Sequence, residues 1–332
     1  MHTVTILCAL LGVVFLPQAT VGAADNDPEA SYSGPWTAMF GSATGAVIIS
    51  ADQTALPCFA DFTTLTPGKR EQTRHGTITA TGCALALDVW GHAGPTLGML
   101  SDGGNSFAGQ PVVARWITMT STNGIDDIST SVPVPIAYAS ALAVRCREVQ
   151  ARMMDPGYFQ DPKRQPSATG PRPFYPECWW SRSGTTVTWW SAHLVSMIDD
   201  PEIYTGGAHE NWEAHSFTWI LRADGSWSDL HLADLFTAPD WRQTLYRLTA
   251  EDLSQQVPDD LIWAGRAKGR ITDAQADAFF KTWTLAGDGL IIHFDPYDVD
   301  CFAHGEYDVR IPWSKLPALN PAMPLQEIRG QP

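Results

Sequence analysis

The strongest constraint on this chain is the spacing of its apolar residues. They fall in short runs that alternate at every second position, each closed by glycine, proline or serine. HGTITATG at 75–82 and ALALDVW at 84–90 alternate in this way, which puts the apolar side chains on one face of a half-buried antiparallel strand. AVIIS (46–50), CFADF (58–62) and VVARWITM (112–119) are further strand-like runs. Gly41, Gly45, Gly91, Gly94, Gly98, Gly103, Gly104 and Gly109 supply the turns. Residues 32–120 are expected to form an antiparallel β-meander, barrel-like, with no catalytic motif inside it.

Helical spacing appears only later. Residues 137–154 are expected to be a helix with Leu142, Val149 and Met153 inward. Leu245, Leu248 and Leu253 predict a second over 240–256, and a third is expected at 273–280 with Thr272 as its N-cap. Strand-like runs at 174–180 and 185–198 flank Ser183-Gly184, read here as a hairpin turn that sets Trp179 and Trp180 opposite Trp189 and Trp190. Further strands are expected at 213–221, 282–285, 290–294 and 307–312. Residues 121–135 (STNGIDDISTSVPVP) have the composition of a linker, leaving a second domain at 136–325. Two β-rich ends around helices make the class α+β rather than a βαβ alternation.

The first 23 residues have the form of a secretory signal peptide: an apolar run from Val4 to Leu16, Pro17, then Val21-Gly22-Ala23 before the junction. Residues 24–31 follow as an acidic, flexible leader. The expectation is an exported protein, periplasmic or secreted, with no stable membrane insertion after cleavage. Export permits disulfides. Cys8 lies in the signal peptide, leaving Cys58, Cys83, Cys146, Cys178 and Cys301. The expected pairs are Cys58–Cys83, in neighbouring strands, and Cys146–Cys178, with Cys301 free.

Acids outnumber bases 36 to 21, a net charge of −15, which excludes nucleic acid and anionic lipid as natural partners. The acids are not spread evenly. Between Ser183 and Leu221 there is no Lys or Arg, while Asp199, Asp200, Glu202, Glu210 and Glu213 crowd one segment. Between Thr282 and Val309 there is again no base, with Asp288, Asp295, Asp298, Asp300, Glu306 and Asp308. If the two stretches adjoin in the fold, they form a face that steers a cationic partner.

Within the first stretch, Tyr204-Thr205-Gly206-Gly207-Ala208-His209 is the most distinctive segment of the chain. Its paired glycines open backbone conformations closed to other residues and allow another chain to approach closely. Downstream come Leu232-Ala233-Asp234-Leu235-Phe236, Trp283-Thr284-Leu285, Gly287-Asp288-Gly289-Leu290, Phe294, Pro296-Tyr297, Gly305 and Val309-Arg310-Ile311-Pro312-Trp313. In that order these blocks resemble the RsiV/PdaC-like extracytoplasmic domain family, over roughly residues 130–320. The resemblance implies an α+β fold and an extracytoplasmic location. One member of that family is a membrane-bound anti-sigma factor that senses lysozyme by binding it, and another carries the domain beside a polysaccharide deacetylase. This chain shows no deacetylase metal motif, so binding is the property carried over.

The expected role is therefore a non-enzymatic, exported binding protein of the cell envelope that takes lysozyme or another cationic wall-acting protein. Tyr204, Thr205, Gly206, Gly207, His209, Pro296 and Tyr297 would shape the contact, and Glu202, Glu210, Asp298 and Asp300 would supply acidic complementarity. No cofactor is expected. The six-residue spacing of His209 and His215 does not match the i, i+4 zinc motif. Asp295, Asp298 and Asp300 lack the glycine and terminal glutamate of an EF-hand loop. No nucleophile elbow or phosphate loop occurs. The alternative is an envelope hydrolase of ester, amide or glycan bonds, using His209 or a nearby carboxylate.

Overall fold

The computed structural model of the chain describes residues 36–42, 45–51, 58–81, 84–89, 98–101, 106–107, 110–122, 127–135, 141–153, 180–204, 210–257, 269–301 and 304–330. The expected signal peptide and leader lie outside the described residues.

The front of the chain is the expected meander. Strands β1 (Trp36–Ser42), β2 (Gly45–Ala51), β3 (Cys58–Leu65), β4 (Gln72–Thr81), β5 (Ala84–Val89), β6 (Gly98–Ser101), β7 (Ser106–Phe107) and β8 (Gln110–Thr122) follow in chain order. Each pairs antiparallel with the next. β8 then returns to pair with β1, so the meander curls onto itself. Among the described side chains of the meander, Met39, Ile49, Phe62 and Ala114 are buried.

The stretch expected as a linker is instead part of the sheet. Residues 127–135 form β9 (Asp127–Pro135), which pairs antiparallel with β8 through nine residues, Ala114↔Pro135 to Thr122↔Asp127. On its other edge β9 pairs in parallel with the start of β10 (Trp180–Trp190), but only from Asp127 to Ser131. Pro133 and Pro135 fall beyond that pairing, on the edge where a missing N–H costs no ladder bond. Their presence is why the segment looks like a linker in sequence.

β10 corrects a second expectation. Ser183-Gly184 is not a turn but lies inside this single strand, and the turn comes at 191–193. The strand is shared: Trp180–Gly184 pairs with β9, while Thr185–Trp190 pairs with β11 (Leu194–Asp199). Trp180, Trp189 and Trp190 therefore share one strand instead of facing one another across a hairpin. Trp179 is outside the described residues. β11 continues through β14 (His215–Leu221) to β15 (Trp227–Asp229), and the short β12 (Glu202–Tyr204) pairs with the start of β10 and carries β13 (Asn211–Trp212) on its other edge.

Helices α1 (Ala141–Met153), α2 (Trp241–Gln256) and α3 (Asp273–Phe279) occupy the expected stretches, and α4 (Gln326–Arg329) adds a last turn. Leu142 and Val149 are buried from α1, and Leu245 and Leu253 from α2. A 3₁₀ turn at Leu232–Leu235 precedes α2. Thr272 caps α3 as expected: its hydroxyl accepts the Gln275 N–H, while the Gln275 side chain accepts the Thr272 N–H. Thr272→Ala is expected to cost about 1 kcal/mol in a denaturant melt, with Thr272→Asn close to wild type.

The chain closes with a separate antiparallel sheet, β16 (Trp283–Ala286), β17 (Gly289–Phe294) and β18 (Tyr307–Pro312). Its first strand crosses the other sheet: Leu285 N–H donates to Ser196 Oγ at 2.8 Å and Trp283 N–H to Ser216 Oγ at 3.0 Å. All but one of its residues from 282 to 294 are buried, Asp288 being half-buried. The architecture is α+β, and one apolar core joins Met39, Ile48 and Leu65 of the meander to Phe217, Leu290 and Ile311 of the later sheets.

The meander is also pinned to the end of the chain by the β3–β4 turn. Gly68 holds a left-handed φ of 71° and donates to Ile328 O at 2.8 Å. A β-carbon on Gly287 would stand 2.4 Å from both Thr66 O and Lys69 O, so only glycine lets the β16–β17 turn approach this backbone. Beside it, both terminal nitrogens of Arg310 donate to Glu71, and Nη1 also reaches Asp288 at 3.1 Å.

The Cys146–Cys178 pairing is not supported. Cys146 is a free, fully buried thiol on the inner face of α1, and burial pushes it up to about 12, so it stays protonated and unreactive. Cys178 lies outside the described residues, as does Cys83; Cys58 opens β3. Cys301 is free and exposed, as expected. No described helix is long and apolar enough to cross a membrane.

Candidate functional site

The two acid-rich stretches meet. Asp295 accepts the Ala214 N–H at 2.7 Å through one oxygen and Lys281 Nζ at 2.9 Å through the other. Thr282 Oγ1 also donates to Ala214 O at 3.4 Å, tying the end of the first stretch to the start of the second.

Where they meet, a cleft of about 210 Å³ opens over β10, β17 and β18. Period-two spacing builds its walls: Thr186 and Thr188 from β10, Ile291 and His293 from β17, and Glu306 just before β18 with Asp308 and Arg310 on it. Asp200, just past the end of β11, completes it.

His293 is fixed from both sides. It stands directly opposite Asp308 in the β17–β18 register, with Nδ1 2.6 Å from Asp308 Oδ1 and Nε2 2.8 Å from Thr284 Oγ1. If Nδ1–H donates to the carboxylate, Nε2 accepts from the hydroxyl, and one tautomer satisfies both contacts. The order hydroxyl, imidazole, carboxylate is that of a hydrolase relay. Thr284, however, is completely buried, so its oxygen has no route to a substrate. The trio orients the cleft wall and carries no nucleophile.

The carboxylates are the active chemistry here. Asp200 Oδ1 is buried and finds no hydrogen-bond partner among the described residues. Burial pushes the Asp200 carboxyl up to about 7; Glu306, Asp199 and Asp308 add repulsion that His293 only partly offsets. Burial also raises Glu306, with Asp308 and then Asp295 adding to it. Among the described residues, the one strong cation lining the cleft is Arg310, which already serves Glu71 and Asp288. The cleft therefore holds more negative charge than its own cations neutralise, which is the condition for attracting an external cation.

The residues expected from sequence to form the contact divide into groups. Glu202 and Tyr204 lie on β12, with Tyr204 stacked on Trp180 at 6.1 Å and Arg182 set 4.8 Å over the other partner of that stack, the Trp180 ring. Glu210 is half-buried just before β13, and Thr205, Gly206, Gly207 and His209 lie outside the described residues. Pro296 is buried and offers no contact surface. Tyr297 does: it is 64% exposed and holds a φ of 74°, a conformation rare for a bulky residue and typical of sites that aim a side chain.

Asp298 and Asp300, chosen as acidic complementarity, are already occupied. Lys281 sits 3.4 Å from Asp298. His304 Nδ1 lies 2.6 Å from Asp300, and that hydrogen bond holds the Asp300 carboxyl below its usual range. Asp200 and Glu306, which make no ion pair among the described residues, belong to the same stretches, and Asp308 beside them pairs only with His293. The signal that finds them is the alternation Glu306, Asp308, Arg310, which places all three on one face of a strand.

Several solved structures resemble the chain. A member of the DUF3298 family from Bacteroides fragilis NCTC 9343 is 15% identical over 65% of this chain and 96% of that one, with a TM-score of 0.42. A DUF3298 family protein from Pseudomonas aeruginosa PAO1 is 14% identical over 64% and 95%, also with a TM-score of 0.42. No curated protein matches. The family model described as "Protein of unknown function (DUF3298)" matches residues 233–314, the stretch from the 3₁₀ turn through β18 that supplies the β17 and β18 wall of the acidic cleft, so the chain carries a DUF3298 domain there.

Proposed function

We propose that this chain is an exported, non-enzymatic binding protein of the cell envelope, and that its acidic cleft takes a basic side chain of a cationic, lysozyme-like protein. The observation that carries the reading is the sharing of one cleft by Asp200 and Glu306, which pair with no cation among the described residues, beside Asp308, whose only such partner is His293. A Lys or Arg entering the cleft offsets the burial and the carboxylate repulsion that together raise Asp200 to about 7. Tyr297, presented on the neighbouring turn, supplies an exposed aromatic contact of the kind that anchors interfaces. The resemblance of the closing blocks to the RsiV/PdaC-like family supports both the ligand class and the extracytoplasmic site of action.

The test is calorimetric titration of the chain against a basic lysozyme at low and at moderate salt. Binding at micromolar concentration that weakens with salt and releases protons near pH 7 is the expected result. No heat in any buffer sinks the proposal.

One observation favours the hydrolase reading enough to test it: a carboxyl in a cleft that titrates near neutrality is suited to general-acid work. A panel of chromogenic esters and peptidoglycan fragments, run on wild type, Asp200→Asn and His209→Ala, is expected to show no turnover. Turnover lost in either variant would replace the binding reading with the hydrolytic one.

A further inference from the structure

A second and larger cleft, about 430 Å³, opens between α1, β14 and the start of β16 and shares no lining residue with the acidic one. Its size falls in the range of small-molecule sites. Its floor is aromatic and well buried, with Phe217, Trp219 and Trp283 between 2% and 8% exposed.

Two arginines from one face of α1 stand over that floor. The Arg145 guanidinium lies 5.9 Å from the Trp219 ring centre and Arg152 lies 5.3 Å from that of Phe217. Their charges are not equivalent. Asp229 accepts from Arg145 Nη2 at 3.1 Å and from Trp219 Nε1 at 3.1 Å, so the Arg145 fork is locked and largely neutralised. Lys281, at the other rim, is taken by Asp295 and Asp298. Arg152 pairs with no carboxylate among the described residues. In a chain of net charge −15, an unpaired guanidinium held over an aromatic ring beside a cavity is an exception that asks for an anion.

We infer that this cleft binds a small ring-bearing carboxylate, its carboxyl held by the Arg152 fork and its ring against the aromatic floor. A planar guanidinium fits a carboxylate through two parallel hydrogen bonds, and stacking on Phe217 sets the fork before the ligand arrives. The ring accounts for the depth of the cleft, which an isolated inorganic anion would leave mostly empty. Such a ring is either a sugar acid or an aromatic acid, and the same chemistry recognises both. The inference is independent of the acidic cleft.

The experiment is calorimetric titration of the full chain with N-acetylmuramic acid, with 4-hydroxybenzoate, and with N-acetylglucosamine as the neutral ring. The expected result is binding of at least one of the two acids and none of the neutral sugar. Tighter binding of the first acid identifies the ligand as a sugar acid, and of the second as an aromatic one. Arg152→Gln, an exposed change outside the core, is expected to weaken binding at least about 10-fold, as loss of a charge-assisted hydrogen bond does. Arg247→Gln, which removes only an i,i+4 pair with Glu251 on α2, is expected to leave it unchanged. Absence of binding by both acids, equal binding of the neutral sugar, or full affinity in Arg152→Gln would each overturn the inference.

Discussion

Gly287→Ala is expected to lower stability by about 3 kcal/mol, the upper range for forcing a methyl group into filled space. The new β-carbon would meet two backbone oxygens, Thr66 O and Lys69 O, each 2.4 Å away, and neither can swing aside as a side chain could. The β3–β4 turn must then lift from the β16–β17 turn. That movement also strains the bond from Gly68 N–H to Ile328 O and the pairing of Arg310 with Glu71. Hydrogen exchange should accordingly rise in residues 66–71 and 286–289 before it rises elsewhere. Gly184→Ala is the matched control: a β-carbon there meets nothing within 4 Å, so its melt should stay within about 0.5 kcal/mol of wild type. If Gly287→Ala melts with the wild type, the meander is not pinned where the contacts place it.

Asp200→Asn is expected to stabilise the protein, and only above the acid range. The carboxyl moves from an ordinary 3.8 to about 7 in the fold, so the native state holds a proton across that window while the unfolded chain has lost it. Stability from this group is therefore complete below pH 3.8 and is lost as pH rises through about 7. Allowing for the solvent that reaches one side of the cleft, the loss is on the order of 2 kcal/mol. Asparagine has no charge to bury. At pH 8 the variant should exceed wild type by about that amount, and near pH 4 the two should agree. Glu306 is raised too, so the variant keeps a shallower slope of the same sign. Thermal melts from pH 4 to 8 decide it: parallel curves for the two proteins would mean that Asp200 is solvated after all.

The parts of the fold that were readable in sequence share a physical property: their pattern is local. The alternation in 75–82 and 84–90 became β4 and β5, Leu245 and Leu253 became the buried face of α2, and Thr272 capped α3 through residues three positions away. The misreadings came where a local signal was outweighed by pairing far along the chain. Ser183-Gly184 has turn chemistry, but pairing with Thr130 and Ser131 of β9, continued at Thr185 by β11, holds it extended. Pro133 and Pro135 have linker chemistry, but they sit where β9 has only one neighbour.

The candidate site divides in the same way. That two acid-rich stretches form one face was legible, because both lacked any base over long spans. Which acids stay uncompensated was not, because compensation depends on Lys281 and His304, and sequence separation says little about whether those charges reach Asp298 and Asp300. That Arg152 pairs with no carboxylate among the described residues was hidden for the converse reason: it is a fact about where the acids went.

The central claim is that the uncompensated carboxylates of the cleft hold a cationic partner. The most direct measurement is calorimetric affinity for a basic lysozyme, comparing wild type with Asp200→Asn/Glu306→Gln, which leaves the Asp308–His293 contact intact. The account predicts that the double variant folds, melts at or above the wild-type temperature at pH 8, and binds at least about 10-fold more weakly at low salt, with a flatter salt dependence. Equal affinity and equal salt dependence in the two proteins would contradict it.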